Sequence, residues 1–497
     1  MKKKIISTFL LIILVVTHLL AQDDVDALRY SMLNPGSTAR SLGMGNSFGA
    51  LGADFSVLSS NPGGIGMYRR SEFSFSPSFS NTTTSSTYIG QKGSDSYFKF
   101  AFGNFGAVWT SKKNYDESDW KNWTFGIGYN KTNDFSGRSI ARAVNSRNSL
   151  IDNYLQSANG TAYTDFPTQY PFDINLAWET YLIDTIAGAG STATYQSAIP
   201  KNKDKIQTRT TETKGGQGEW DFSLGTNYRD QLFLGVTLGL TTIHYESKSV
   251  WEENDNTNVI SGFSYYKLFE DLKTTGAGFN LKLGAIYKPN DIIRFGIALH
   301  TATVNVLTDN YGSSIRSDIE NGLIYEASSQ PSSFDYTSSS PFRVISSVGV
   351  IIAGTAAVNF DYTYLDYSRM RMHASDKQYE NYFTPINEDI KNKYTGAHEF
   401  RLGAELKNDN IRFRAGVEYC TSPFKNSYRS TMDYNQSKLC LSAGFGIRQE
   451  KYYIDFALSH TETGSYYQPY VLNDESTNAI YYKKNDLRFL TTIGFMF

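Results

Sequence analysis

The chain has 497 residues and a formal net charge of −2; aromatic side chains make up 15% of it, alongside 40 glycines and 2 cysteines. The near-neutral charge excludes the basic field that nucleic-acid binding requires, and the cysteine count excludes a disulfide-stapled scaffold or a cysteine-rich metal site. This composition, with a mean hydropathy of −0.39, is instead typical of a membrane β-barrel, whose strands turn only one side to lipid.

The N-terminus predicts export. Three lysines precede an apolar run from Ile5 to Val16, and the small residue Ala21 follows. This order is the layout of a secretory signal peptide, so we expect residues 1–21 to be removed. The alternative is an uncleaved membrane anchor, which fits less well because the run is short for a spanning helix.

Residues 22–69 contain the glycine-rich stretch SLGMGNSFGALGADFSVLSSNPGGIG. A nucleotide-binding loop is disfavoured, because Gly43, Gly45 and Gly49 miss the dinucleotide spacing by one residue and no Walker lysine follows. The segment also lacks the alternation of a lipid-facing strand. A barrel of this size leaves internal space to fill, so we predict that these residues form a plug, or hatch, in the lumen.

Period-two alternation recurs along the rest of the chain, as in QLFLGVTLGL and IRFRAGVEY. From residue 217 onward, tight turns alternate with long polar connections, which is the pattern of a membrane barrel with short periplasmic turns and long outer loops. We therefore predict an all-β fold, a transmembrane antiparallel barrel over residues 70–497. About fourteen strands are expected, at 70–89, 96–111, 121–133, 217–229, 231–248, 272–288, 291–307, 341–353, 355–372, 395–407, 410–424, 435–449, 451–463 and 486–497.

The longest connection, residues 134–216, shows helical periodicity in two places. Ile140, Val144, Ile151 and Leu155 form one set, and Ile174, Trp178, Tyr181, Leu182 and Ile186 form the other. Two amphipathic helices outside the membrane are expected. They either pack on each other as a cap or provide an apolar surface that captures a ligand.

The glycine-rich stretch resembles the N-terminal hatch of the FadL family, outer-membrane transporters of long-chain fatty acids and other hydrophobic compounds. The resemblance extends to LGAIYKPNDIIRFGIALH, FRLGAELKNDNIRFRAGVEYCTSPF and VNFDYTYLDYSRM. The family hatch usually reads Asn-Pro-Ala, whereas here Gly63 and Gly64 follow Asn61 and Pro62, which permits a more flexible turn.

The resemblance implies passive movement of a hydrophobic molecule: capture by outer loops, binding inside the barrel, a shift of the hatch, and lateral exit near the third strand. That strand carries Gly126 and Gly128, which point inward and leave room for a gate, although inward glycines also occur in well-formed barrels. We expect a monomer in contact with outer-membrane lipid and a hydrophobic small-molecule ligand, without nucleic acid.

Charged residues on two neighbouring strands face the lumen. Arg401, Glu405, Arg412, Arg414 and Glu418 alternate with apolar residues, and the turn near Asn408 is expected to place Glu405 beside Arg412. They form either an ion-pair ladder that braces the wall or an anchor for a fatty carboxylate.

Cys420 and Cys440 occupy inward positions on either side of one outer loop, so a cross-strand disulfide is predicted. The histidines are scattered, and no metal-ligand or hydrolase motif is present, so we expect neither an enzyme nor a metal or other cofactor.

Two functions from different classes remain. The first is transport of a hydrophobic compound; the second is a protein-interaction role, similar to the shuttle subunit of the type IX secretion system. An apolar path from the loops to the hatch favours transport, whereas a polar lumen with an exposed loop patch favours a protein partner.

Overall fold

Consecutive strands pair antiparallel around a ring, and the last strand pairs with the first. The computed structural model describes residues 23–34, 37–112, 118–186, 194–319, 322–429 and 436–497, so the predicted signal peptide lies outside the described residues. The strands are β1 Glu72–Tyr88, β2 Gln91–Lys112, β3 Trp120–Asp134, β4 Gly137–Asn145, β5 Ile183–Thr185, β6 Tyr195–Ser197, β7 Lys205–Tyr228, β8 Leu232–Asn254, β9 Phe263–Tyr287, β10 Ile293–His300, β11 Val304–Ile319, β12 Leu323–Ser328, β13 Ser332–Ser339, β14 Arg343–Ile352, β15 Ala356–Asp366, β16 Arg371–Ala374, β17 Gly396–Asn408, β18 Ile411–Cys420, β19 Lys438–Arg448, β20 Tyr452–Tyr467 and β21 Ile480–Met496.

The wall has fourteen positions, as predicted. Going round, they are β1, β2, β3, β7, β8, β9, β10 with β11, β13 with β14, β15, β17, β18, β19, β20 and β21. The two composite positions arise because β9 pairs with both β10 and β11, which pair in turn with β14 and β13. Because β21 pairs with β1, the sheet closes on itself.

Short helices lie at the N-terminus and in the outer loops. The α-helices are α1 Asp24–Ser31, α2 Ala39–Gly43, α3 Leu150–Ala158, α4 Phe166–Gln169, α5 Ile174–Glu179, α6 Thr384–Lys393 and α7 Asn426–Arg429. The 3₁₀ turns are Phe55–Leu58, Pro62–Met67, Tyr163–Asp165, Tyr367–Arg369 and Lys377–Tyr379. Among the described residues, no helix combines the length and apolarity needed to span a membrane.

Side chains alternate across the wall. In β8, Leu234, Leu238 and Leu240 are exposed on the outer face, whereas Phe233 and Thr237 are buried on the inner face. The exposed apolar residues form the lipid-facing band, so the period-two pattern read from the sequence is the pattern of the wall.

Tight turns connect the strands at one rim, which we call the short-turn rim. Arg229 and Asp230 have φ of 54° and 58°, the left-handed geometry of a tight hairpin turn, and only residues 229–231 separate β7 from β8. Three tryptophans lie near this rim as an aromatic girdle, namely Trp109, Trp120 and Trp123.

The strands extend further outward than the sequence analysis predicted. Ile89 and Gly90 have φ of 45° and 76° and close a two-residue hairpin, so β2 begins at Gln91 rather than at residue 96. In addition, β7, β8 and β9 have 24, 23 and 25 residues, which exceeds the ~9–11 residues that cross a bilayer. Part of the predicted loop 134–216 is therefore strand.

Candidate functional site

The plug, residues 37–69, lies against the inner face of the wall, and its glycines make the contacts. A Cβ added to Gly45, whose φ is +64°, would lie 2.7 Å from the backbone nitrogen of Val417. One added to Gly43 would lie 3.0 Å from the Cα atom of Gly444. Glycine is needed at these positions because the plug backbone touches the wall backbone directly.

Wall carboxylates hold the plug by charge and by hydrogen bonds. The backbone N–H groups of Phe48 and Gly49 donate to one carboxylate oxygen of Asp361 at 2.8 Å and 3.1 Å. The guanidinium of Arg40 donates to both carboxylate oxygens of Glu405, at 2.9 Å and 3.0 Å. Such bidentate, charge-assisted pairs fix orientation as well as energy.

The sequence Asn61-Pro62-Gly63-Gly64 is packed closely. The side-chain oxygen of Asn61 accepts from the Gly63 N–H at 3.1 Å, which caps the 3₁₀ turn that Pro62 begins. A Cβ on Gly63 would lie 2.9 Å from the Cα atom of Ala285 in the wall. Close approach to the wall thus accounts for a glycine where the family pattern has alanine, and turn flexibility is not needed to explain it.

Gly126 and Gly128 receive plug side chains rather than forming a break in the wall. A Cβ on Gly126 would lie 3.2 Å from Leu58, and one on Gly128 would lie 2.3 Å from the ring of Phe55. β3 is paired on both sides at these residues. The gate predicted at the two glycines is therefore misplaced.

An interruption of the wall lies further out on the same strand. The ladder between β2 and β3 ends at the pair Asn104–Asn130. In the part of the chain that the structure describes, residues 91–102 of β2 have ladder partners in β1, but residues 91–103 have none on the side facing β3. We call the stretch between residues 98–103 and 131–134 the seam.

Irregularities in both strands account for the seam. The β1–β2 register shifts at Ser76 and Pro77, which leaves Gly103 without a partner. The β3–β7 register shifts between Lys131 and Asn133 at a similar height. A bulge bends its strand and disrupts the ladder locally, so two bulges at one level separate neighbouring strands. Sequence reasoning missed this feature, although proline within a strand was the available signal.

A cavity of about 330 Å³ lies inside the wall and reaches the seam. It borders Phe102 and Gly103 on one side of the seam and Thr132 and Asn133 on the other. Ten charged residues contribute to its lining: Arg29, Lys99, Lys131, Lys438, Lys484 and Arg488 are cationic, and Asp134, Glu399, Glu418 and Asp486 are anionic. Polar residues thus outnumber apolar ones in the lining, although apolar atoms supply more of its surface, and there are two more cations than anions.

Comparison with known proteins identifies the family to which this barrel belongs. The family described as "Outer membrane protein transport protein (OMPP1/FadL/TodX)" matches residues 32–468. The chain belongs to this family. It is a protein of the outer membrane, as the family description and the barrel fold together indicate.

Two solved structures of FadL-family proteins share the fold at low sequence identity. A Pseudomonas aeruginosa FadL homologue is 13% identical, with a TM-score of 0.53 over 94% of this chain and 99% of that one. The P. putida toluene transporter TodX is 12% identical, with a TM-score of 0.51 over 93% and 99%. A search of curated proteins gave no match.

The charged ladder of this FadL-family wall is built as follows. Glu405 lies opposite Arg414 and accepts from its Nε at 2.6 Å, whereas the residue opposite Arg412 is Lys407. The predicted Glu405–Arg412 pair is therefore wrong: the partner of Glu405 is Arg414, the next inward-facing residue of β18. Arg412 instead donates to the backbone carbonyls of the turn.

The remaining charges connect this ladder to its neighbours. Arg414 also bonds to Asp455 at 2.7 Å, and Arg401 lies 3.6 Å from Glu418, which pairs with Lys438 at 2.9 Å. Because Glu405 bonds to both Arg414 and Arg40, one carboxylate joins the plug to the wall.

The predicted disulfide is not formed, and both cysteines are free. In the β18–β19 ladder Cys420 lies opposite Lys438, and Cys440 lies opposite Glu418. The two thiols are thus diagonal neighbours, about 7–8 Å apart at the backbone. A disulfide requires Cβ atoms only about 3.5–4.5 Å apart.

The residues predicted to form a capture surface are divided between strand, helix and loop. Ile140 and Val144 lie in β4, which pairs with β7, so the first predicted helix is confined to α3, which contains Ile151 and Leu155. The second helix, α5, contains Trp178 but ends before Tyr181 and Leu182.

Their burial also differs. Ile151 and Leu182 are buried in the cluster of apolar side chains that caps the outer end, and Leu155 and Trp178 pack against it. Val144 and Tyr181 are more than half exposed. Trp178 stacks on Tyr163 with ring centroids 5.0 Å apart, so packing as a cap explains most of the set.

Proposed function

We propose that the protein carries hydrophobic compounds with a polar or charged head group passively across the outer leaflet, with long-chain fatty acids as the leading candidates. The observation that supports this most strongly is the cavity that reaches the seam, because it joins a space inside the barrel to the lipid-facing side of the wall. A structural neighbour named as a toluene transporter is consistent with a hydrophobic cargo.

The route has three parts. The exposed apolar residues of the outer cap, such as Val144 and Tyr181, meet the compound first. The charged cavity then holds its head group. The compound leaves sideways through the seam, whose outer side carries the exposed rings of Phe98, Phe100 and Phe102. The plug blocks the direct path along the barrel axis, because its backbone contacts the wall at successive strands.

A catalytic role is not proposed. Among the described residues, no group of three or more histidine, cysteine, aspartate or glutamate side chains is placed to hold a metal ion. The known proteins whose fold this chain shares are described as transporters or homologues of one.

Binding can be tested by native mass spectrometry of protein purified from the outer membrane in mild detergent, followed by solvent extraction. We expect an apolar small molecule to be recovered. Replacing Ala101, which lines the cavity, with tryptophan should fill the site and lower occupancy. The matched control is Ala107→Trp on the same strand, which projects outward from a paired part of β2.

Equal ligand recovery from wild type and Ala101→Trp would contradict this site. The second candidate function, a barrel that holds a protein partner, is favoured by one observation: polar residues outnumber apolar ones in the cavity lining. An empty barrel that retains a protein partner through purification would support that function instead of transport.

A further inference from the structure

We propose that the ion pair between Lys99 and Asp134 closes the seam and makes lateral exit selective for anionic over neutral compounds. This inference rests on the proposed function, since it assigns a chemical class to the compound that leaves by the seam. Lys99 lies on β2 and Asp134 is the last residue of β3, with Nζ and the carboxylate oxygen 2.5 Å apart. The pair therefore joins the two strands where backbone pairing does not.

The Lys99–Asp134 pair is the main connection between β2 and β3 at the level of the seam. Below it, backbone pairing stops at Asn104 and Asn130. Above it, β4 crosses close to β1 and β2, and the Ile140 carbonyl accepts from the Ser86 hydroxyl at 2.5 Å. Between these limits the seam is bordered by side chains, of which Lys99 and Asp134 reach across.

The pair is shielded from water. The side chain of Lys99 is 12% exposed and that of Asp134 is 9% exposed, so their attraction is screened less than that of a surface pair. Separating two charges in such a site without replacing either partner is costly. The seam therefore resists opening by a compound that offers no charge.

An anionic head group changes that cost. Asp134 also accepts from Lys131, which lies three residues earlier on its own strand. If an anion binds Lys99, Asp134 keeps Lys131, and each charge remains paired. A neutral compound would leave Lys99 without a counter-charge. The cavity also offers Lys484 and Arg488, which form no ion pair with another described residue, so an anion is attracted to this side of the lumen.

The test compares two probes of equal chain length, dodecanoate and 1-dodecanol, taken up by cells whose outer membrane holds this protein as its one transporter of such compounds. Lys99→Met should raise dodecanol uptake about tenfold relative to dodecanoate, because the cost of separating the pair no longer opposes the neutral probe. Asp134→Asn also breaks the pair but leaves Lys99 free to bind an anion, so it should raise uptake of both probes without the shift toward dodecanol. Lys99→Arg keeps the charge and should keep the wild-type preference.

Lys131→Met is the comparison variant. It removes the other lysine from the same carboxylate without removing the connection between the strands, so it should change the probe ratio less than Lys99→Met does. An unchanged ratio in Lys99→Met, or equal effects of the two lysine variants, would overturn the proposal.

A structural measurement keeps this test separate from transport. Nitroxide labels at Phe98→Cys on β2 and Trp220→Cys on β7, which lies opposite Tyr129 next to the end of the β2–β3 ladder, report the distance across the seam in a Cys420→Ser, Cys440→Ser background. We expect a broader and longer distance distribution in Lys99→Met than in wild type. Identical distributions would refute the closure of the seam by the ion pair. If cells with the wild-type protein took up neither dodecanoate nor dodecanol, the proposed function would be refuted instead.

Discussion

The two halves of the barrel differ in how the lumen is filled. Near the short-turn rim the plug backbone lies directly on wall glycines, and the Glu405 carboxylate ties the two together. In the outer half, the wall carries long charged side chains such as Lys438 and Arg488, and these line a cavity. Small inward residues permit close packing, whereas long charged ones hold the lumen open, so one wall can be sealed at one level and open at another.

The position of the seam agrees with this difference between the two halves of the barrel. β2 and β3 are paired without interruption beside the plug, and they separate only above Asn104 and Asn130, where the cavity begins. The closed half therefore stabilises the wall and the open half provides the route. Variants that fill, loosen or recharge either half test whether this division holds.

The largest effect is expected from filling a plug contact. A Cβ on Gly416 would lie 2.1 Å from the backbone of Met44 and Gly45, so Gly416→Val cannot be accommodated without moving the plug. Overpacking is destabilising even where side chains can move aside, and a backbone neighbour yields less readily. We expect leakage, measured as increased conductance in planar bilayers and as sensitivity to a large hydrophilic antibiotic.

The matched control is Ala415→Val, one residue earlier on the same strand with its side chain on the exposed outer face. If both variants left conductance at the wild-type level, the plug would not be sealed by backbone contact.

The next effect concerns the charge that joins plug to wall. Glu405→Gln leaves Arg40 and Arg414 without their shared carboxylate in a buried site. Breaking such a pair costs about 3–5 kcal/mol. We expect a lower free energy of unfolding in urea and faster proteolysis of the plug. Arg412→Met, which removes a side chain that donates to turn carbonyls, should stay within about 0.5 kcal/mol of wild type.

This prediction also shows where the sequence was sufficient. Period and turns predicted fourteen strands and placed Arg401, Glu405, Arg414 and Glu418 on the inner face. They could not give the partner of Glu405, because a shift of one position in the turn residues moves every cross-strand pair along the strand. Arg40, the other partner of Glu405, lies more than 300 residues earlier in the chain, and no sequence pattern indicates that the two side chains meet.

The gate and the first loop helix failed for different reasons. Glycine at 126 and 128 is compatible with a gap or with a close neighbour, and only the position of Phe55 and Leu58 decides between them. Ile140 and Val144 have helical spacing, but pairing with β7 makes them strand, since tertiary contacts override a short periodic pattern. The seam could not be predicted without the registers that β2 and β3 form with each other and with their neighbours β1 and β7.

The outer cap provides a smaller effect that depends on pH. Burial raises the pKa of Asp152, at the start of α3, to about 6, and burial likewise raises that of Asp173 to about 6. A folded-state pKa above the unfolded value means that stability is fully present below about pH 4 and is lost as the pH rises through 6.

Hydrogen exchange of residues 150–186 should therefore become faster between pH 4 and pH 7, after correction for intrinsic exchange rates, by the equivalent of about 1–3 kcal/mol. The double variant Asp152→Asn, Asp173→Asn should remove this slope. Asp165→Asn changes an exposed carboxylate of the same cap and should retain it. A slope that survives the double variant would assign the effect to other groups.

The smallest effect is a thiol count. Titration of the denatured, unreduced protein should give two free thiols per chain, because Cys420 and Cys440 are offset by two residues in the β18–β19 ladder. A count of zero would require Cys420 to face Cys440, which moves Glu418 two residues further from Lys438 and breaks their 2.9 Å pair. The thiols thus report the register of the wall beside the cavity, where the charges proposed to hold the ligand depend on it.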